Sequence, residues 1–275
     1  MKVYKKENEI IIQNQEQFYC LRDQDWDKFI NDDHLYQKLQ NCISSAKSIS
    51  EDYLKGVSPP INSQELWASG VTYYRSKKGR EEESKSTGGS IFYTKVYDDP
   101  RPELFFKATK NRISGPNAPV RIRKDSDWNV PEPELTLLIT SNAKIVGYSI
   151  GNDMSSRDIE GQNPLYLPQA KTYDGCASLG PCIYVPEKVL DQPLEIKLTI
   201  ERKKAIVFQD IISTERMKRK PQELVNYLFR ESSFPNGAFL MTGTGIVPPP
   251  DFTLKKNDII SIEIEEIGIL TNTVE

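Results

Sequence analysis

Apolar residues along this chain come in short runs, many of them alternating with polar residues, and seldom in long helical stripes. Near the start, Lys2–Tyr4 and Ile10–Ile12 read as two short strands facing each other, followed by a helical stretch from about Asp25 to Lys55. The sequence VSPP at Val57–Pro60 breaks that pattern and reads as a linker. From Leu66 onward the texture changes to short strands punctuated by Gly, Pro and Asn. Leu135–Ile139 and Ile145–Ile150 flank a short polar SNAK segment, the pattern of a β-hairpin. Lys218–Phe229 is the most helix-like stretch of the second half, and Ile259–Leu270 alternates as one half-buried strand. The expectation is a mostly β, α+β protein without internal repeats. A small N-terminal α/β domain would span residues 1–65 and a larger domain residues 66–275.

Composition narrows the class. The chain has 275 residues, enough for one large domain or a small and a large one with a real core. No segment approaches the roughly 18 consecutive apolar residues of a membrane helix, and MKVYKKENEI lacks the apolar core of a signal peptide. Net charge is −3 with scattered basic residues, so no nucleic acid or membrane surface is expected as a partner. Cys20, Cys42, Cys176 and Cys182 show neither a CxxC pair nor a disulfide framework, and Cys176 and Cys182 read as small buried hydrophobes. A reduced, soluble, cytoplasmic protein is expected.

The single histidine, His34, lies in the polar segment NDDHLYQ and reads as solvated. Histidine-rich zinc sites and Ser-His-Asp machinery both need a well-placed imidazole. A metal here would be held by oxygen, which favours magnesium, manganese or calcium.

Such oxygens converge in one block. Glu132 and Glu134 are two apart in an apolar run, so on a strand both point to the same face. A hairpin returns Asp153 beside them. Three buried carboxylates repel one another unless a cation or shared protons compensate, and three carboxylates plus waters suit magnesium. Downstream, Lys171 in PQAKTYDG has two readings. Its stem covers a core edge, or its amine sits partly desolvated beside a metal, where a lowered pKa makes it a base.

Two other segments bear on the site. The polar stretch Ser76–Ser90 reads by itself as a solvated helix plus loop, and inside a compact enzyme as a mobile lid. The TGTG run at Thr242–Gly245 lacks dinucleotide spacing and reads as a turn that brings backbone amides and the Thr244 hydroxyl to an anionic ligand. DSDWN at Asp125–Asn129 lacks the glycine and glutamate of a calcium loop and is set aside.

In order, WASGVTYY, PELFFKATKNRISGP, PEPELTLLI, GYSIGNDMSSRDIE, AKTYDGCASLGP, LMTGTGIV and NDIISIEIEEIG resemble the fumarylacetoacetate hydrolase family, from about Leu66 to the C-terminus. The resemblance implies a β-roll of packed mixed sheets with a divalent ion at its open end. It places metal ligands at Glu132, Glu134 and Asp153, the active-site lysine at Lys171, and a threonine near the substrate carboxylate at Thr244. Hydrolytic members carry a histidine and, three residues on, a glutamate. Here Ser76 and Gly79 stand at those positions, and Glu160 stands where many members have glutamine.

The fuller pattern, with its N-terminal extension, is similar to the branch that dehydrates 2-keto-3-deoxy sugar acids such as 2-keto-3-deoxy-D-arabinonate. The implied chemistry is magnesium-assisted enolisation with Lys171 removing the C3 proton. Arg75, Glu83 and Glu103 are candidates for orienting or protonating the hydroxyls, and Ser76, Glu160 and Thr244 for holding substrate. The expected partner is a 2-keto acid, and the expected assembly a homodimer or homotetramer. Three alternatives stay open: a hydrolase or decarboxylase of acylpyruvate- or oxaloacetate-like acids, a Schiff-base dehydratase using Lys171 without metal, and a non-catalytic protein.

Overall fold

The apolar run PELTLLI forms a strand, Pro133–Ile139, buried at every position, which pairs antiparallel with Ile145–Asp153 as the hairpin pattern predicts. The computed structural model describes residues 1–83 and 90–275, all but the Glu83 and Ser90 side chains, and sets this hairpin inside an 11-stranded sheet. Ala177–Tyr184 flanks the hairpin on one side and Ala238–Met241 on the other. Beyond Ala238–Met241 lie Glu65–Gly70, running parallel to it, and Glu103–Ala108 at the edge. A strand covered on both faces has no solvent side to encode, hence the unbroken apolar run.

A second, 5-stranded sheet packs against the first. Its strand Ile259–Ile264 turns Ile260, Ile262 and Ile264 inward, where they meet Leu135, Leu137 and Ile139 and the helix Pro221–Leu228. This is the expected β-roll of packed sheets. The single strand expected over Ile259–Leu270 is instead two, Ile259–Ile264 and Gly268–Val274, paired antiparallel. The chain reverses at Glu265–Ile267, with Glu266 at φ 67° and Gly268 at φ 128°. The two-residue spacing of apolar residues slips by one there, from Ile264 to Ile267, and then resumes, a break that is easily read through as one strand.

Residues 1–65 add four strands to the edge of the large sheet. Val3 pairs with Ile12 as expected, and Lys2–Lys6 is hydrogen-bonded to Ala177–Tyr184. Val3, Ile10 and Ile12 share an apolar cluster with Leu138, Leu179, Ile183 and Phe239. The continuous helix expected from Asp25 to Lys55 resolves into helices Trp26–Ile30 and Leu35–Ile43, a strand Lys47–Ile49 and a 3-10 turn Glu51–Leu54. The Asp25 carboxylate caps the first helix by accepting from the Asp27 and Lys28 amides, and the polar NDD segment after Ile30 ends it. The expected linker is pinned rather than free, since the Ser58 amide donates to the Lys5 carbonyl at 2.7 Å.

Within the charged stretch, Tyr74–Glu83 is helical as expected, but Ser76 and Arg80 on it are buried. Residues 84–89, to which the mobile-lid reading extends, lie outside the described residues. A further helix, Ser90–Asp98, was not anticipated.

Because Ile12 is fully buried in the cluster joining the N-terminal strands to the large sheet, Ile12→Ala is expected to cost about 2–5 kcal/mol. The loss should appear in denaturant unfolding as an earlier midpoint of one transition reported equally by far-UV signal and tryptophan fluorescence.

Candidate active site

Glu132 and Asp153 face each other across the mouth of the central hairpin. The Glu132 amide donates to the Asp153 carbonyl at 3.2 Å, and the Asp153 amide returns to the Glu132 carbonyl at 2.9 Å. A pair bonded in this way sits directly opposite, and Glu134, two residues on, shares the face of Glu132. The three carboxylates are buried, and each offers one oxygen within 4.8 Å of the others. The three-carboxylate face expected from the hairpin is present.

Four elements supply its counterions and donors. Lys171 Nζ donates to Glu132 Oε2 at 2.5 Å, to Asp153 Oδ2 at 3.1 Å and to Ser155 Oγ at 2.6 Å. Arg157 Nη2 donates to Glu132 Oε1 at 2.7 Å. Lys107 Nζ, from the Glu103–Ala108 strand, ion-pairs with Asp153 Oδ1 at 2.5 Å and donates to the Met154 carbonyl at 3.0 Å and to the Lys171 carbonyl. Glu134 forms no ion pair among the described residues; the Gly243 amide donates to its Oε2 at 2.5 Å. That approach requires glycine, because Gly243 has φ 92° and a Cβ there would collide with the Thr72 hydroxyl, itself bonded to the Thr242 carbonyl at 2.7 Å.

The charges set the protonation of each group. Burial alone would raise the Glu132 carboxyl, but Lys171, Arg157 and Arg80 together hold it well below the ordinary range. Glu134 is raised well above that range by burial, then by Asp153 and Glu132. Burial also raises Glu103, with Glu160 and Glu132 adding to it against Arg80 and Lys171.

The lowering expected of Lys171 beside a metal is not what the protein groups alone produce. Burial pulls its amine down, but Asp153, Glu132 and Glu160 outweigh burial and hold it above its ordinary value.

Hard oxygens, buried and gathered on one face, fit a divalent ion. The Lys171 ammonium already bridges inward oxygens of Glu132 and Asp153, which shows that they face a cation, and Glu134 has no counterion of its own among the described residues.

The other expected residues divide. Glu160, on the helix Arg157–Gln162, is ion-paired with Arg80 and lies 3.9 Å from Lys171 Nζ. Glu103 ends its strand against Gly70, with Oε2 buried and unbonded. Arg75 is a correction: it is exposed and pairs with Glu82 at 3.9 Å, because helical spacing turns positions 76 and 80 inward and 75 outward. The Ser76 hydroxyl is used locally, donating to the Tyr73 carbonyl at 2.7 Å. Thr244 is likewise engaged, its hydroxyl donating to the Ile246 carbonyl at 3.3 Å. The anion served by the TGTG turn in this structure is the Glu134 carboxylate, and the donor is the Gly243 amide. The Glu83 side chain lies outside the described residues. His34 is exposed, while Cys176 and Cys182 are buried. Lys107, Arg157, Arg80 and Ser155 were not singled out from the sequence, although three buried acids demand buried cations from somewhere.

The sequence model of a family described as fumarylacetoacetate (FAA) hydrolase, C-terminal, matches residues 72–275. The chain is 48% identical over 216 residues to a probable 2-keto-3-deoxyxylonate dehydratase of Haloferax volcanii, covering 78% of this chain and 73% of that protein. It is 43% identical over 221 residues to the 2-dehydro-3-deoxy-D-arabinonate dehydratase of Saccharolobus solfataricus, covering 80% and 74%. A solved structure of 2-keto-3-deoxy-D-arabinonate dehydratase complexed with magnesium and 2,5-dioxopentanoate superimposes with a TM-score of 0.84, at 35% identity over 100% of this chain and 99% of that one.

The helix carrying Arg157 and Glu160 is anchored by Asp158. Its carboxylate accepts from the Ser126 and Ser156 hydroxyls at 2.6 Å each and from the Asp127 and Ile159 amides at 2.8 and 2.9 Å. Burial would raise this carboxyl, but these donors depress it below its ordinary 3.8. A depressed acid contributes stability that is present above its unfolded pKa and lost as pH falls through the folded one. Urea unfolding across pH 7 to 3 should show Asp158→Asn less stable at neutral pH, with a shallower loss on acidification than wild type.

Proposed function

The chain belongs to the fumarylacetoacetate hydrolase family, and from that premise we propose that it is a divalent-metal-dependent hydro-lyase acting on a 2-keto-3-deoxy sugar acid. The substrate class is that of 2-keto-3-deoxy-D-arabinonate, with 2,5-dioxopentanoate as product. The observation that carries the reading is the buried Glu132–Glu134–Asp153 face with Lys171 against two of its oxygens. Supporting it, Ser76 and Gly79 stand where hydrolytic members carry the histidine and glutamate that activate water. The alternative, C–C hydrolysis or decarboxylation of an acylpyruvate- or oxaloacetate-like acid, shares the carboxylates but finds no imidazole near them.

Glu132, Glu134 and Asp153 would hold magnesium, or manganese or calcium. Such an ion supplies Lewis-acid polarisation of the keto oxygen and, through its charge, offsets the carboxylates that keep Lys171 protonated. Lys171 then takes the C3 proton, within a network in which Ser155 and Glu160 fix the position of its amine. Glu103, whose carboxyl burial raises, would give its proton to the departing C4 hydroxyl, which leaves as water. A proton shift from C5 to C3 would then give the C4–C5 enol, and protonation of C4 with loss of the C5 hydroxyl proton would give the aldehyde. Arg80, paired with Glu160, orients the acid end of this network. Thr244 remains a candidate for the substrate carboxylate if its hydroxyl turns from Ile246, and Ser76 remains one by resemblance. Glu83 stays a candidate by resemblance.

Three further points belong to the same proposal: a small N-terminal domain over residues 1–65 beside a catalytic domain over 66–275, read from the change of pattern along the chain; a cytoplasmic location, read from composition; and a homodimer or homotetramer, which rests on the family resemblance. Among the described residues no helix is long and apolar enough to cross a membrane.

Purified protein given 2-keto-3-deoxy-D-arabinonate should form 2,5-dioxopentanoate with magnesium, lose activity in EDTA and regain it on metal addition. Glu134→Ala should lower activity at least about a hundredfold and weaken metal binding in parallel. Full activity in that variant, or covalent trapping of Lys171 by borohydride, would overturn the reading.

A further inference from the structure

Each of the three carboxylates has one oxygen engaged from a different part of the chain, by a hydrogen bond at Glu132 and Glu134 and by an ion pair at Asp153. Arg157 Nη2 holds Glu132 Oε1 at 2.7 Å, the Gly243 amide holds Glu134 Oε2 at 2.5 Å, and Lys107 Nζ holds Asp153 Oδ1 at 2.5 Å. The opposite oxygens of Glu132 and Asp153 are the ones that meet the Lys171 amine. We propose that Lys107, Arg157 and the Gly243 amide are positioning groups that limit each carboxylate to a single inward oxygen, so that the centre selects magnesium-sized ions over calcium. This inference rests on the metal-centre reading above.

The reasoning is one of coordination number. Calcium takes about 6–8 oxygens at about 2.3–2.6 Å and commonly chelates a carboxylate through both oxygens, whereas magnesium takes about six in a tight octahedron at about 2.0–2.1 Å. Three single oxygens leave half of an octahedron for water and the two oxygens of a 2-keto acid, which suits magnesium. They fall well short of a calcium shell. To chelate, Asp153 would have to release Oδ1 from Lys107, leaving an ammonium with 0% side-chain exposure beside an unmatched site. Lys107 cannot follow the carboxylate, because the Met154 and Lys171 carbonyls hold it from the other side. The same reasoning applies to Arg157, whose side chain is 2% exposed. Lys107 also ties the backbone of the proposed base to a metal ligand, so the spacing between them is fixed by one side chain.

The test is calorimetric titration of metal-stripped full-length wild type, Lys107→Met and Arg157→Gln with magnesium chloride and with calcium chloride, circular dichroism reporting folding. Wild type should bind magnesium more tightly than calcium, and each folded variant should narrow that preference by about tenfold or more, the scale of outer-shell effects on metal affinity. Arg157→Gln leaves Lys107 untouched, so it decides the matter if Lys107→Met does not fold. An unchanged magnesium-to-calcium ratio in a folded variant overturns the inference while leaving the metal centre standing. Wild type that takes calcium as tightly as magnesium overturns it without any variant. Wild type that binds neither ion overturns the metal-centre reading itself.

Discussion

Like-charge repulsion among Glu132, Glu134 and Asp153 is the constraint around which this molecule is arranged. Carboxylates gathered within a few ångströms and shielded from water would take up protons or force the strands apart unless cations met them. The chain answers with cations from separate elements: Lys107 from an edge strand, Arg157 from the helix after the hairpin, and Lys171 from the short helix Leu167–Lys171. None of these elements packs for hydrophobic reasons alone. Each also closes a charge account at the hairpin mouth, so the site and the local fold stabilise one another.

Glu134 stands apart from its neighbours. Glu132 has two cations and Asp153 has two, but Glu134 receives only a backbone amide among the described residues. The carboxylate that lacks a cation is therefore the one whose proton affinity rises most clearly. A divalent ion held there would relieve that repulsion and weaken the pull of the carboxylates on Lys171. In the proposed mechanism, holding the metal and freeing Lys171 to act as the base would be one electrostatic event.

Legibility in the sequence followed the range of the interactions. The hairpin was readable because its pairing is local, and it brought Glu132, Glu134 and Asp153 together from spacing alone. The N-terminal helices and the Ile259–Ile264 and Gly268–Val274 pair were misjudged, because a short break, such as the three-residue step from Ile264 to Ile267, is easily lost between two apolar patterns. Arg75 was preferred to Arg80 for want of the helix phase, which only burial against the Arg157–Gln162 helix reveals. Lys107 was the hardest to see. It is 46 residues from Asp153 and looks, in PELFFKA, like the polar end of an ordinary strand.

The replacement at positions 76 and 79 acquires a physical meaning from Arg80. A serine whose hydroxyl is spent on Tyr73 and a buried glycine leave that helix face without a general base, yet the next residue sends a guanidinium to Glu160 beside Lys171. Hydrolysis needs a group that takes a proton from water at this wall. Elimination needs the opposite, an acid that keeps its proton until a hydroxyl departs. Burial, with Glu160 and Glu132 adding to it, pushes the Glu103 carboxyl above its ordinary range, though Arg80 and Lys171 work against them. Among the described residues that helix face offers no base, and the raised Glu103 carboxyl lies at the edge strand beside it. Both features suit the proposed expulsion of water better than cleavage of a carbon–carbon bond.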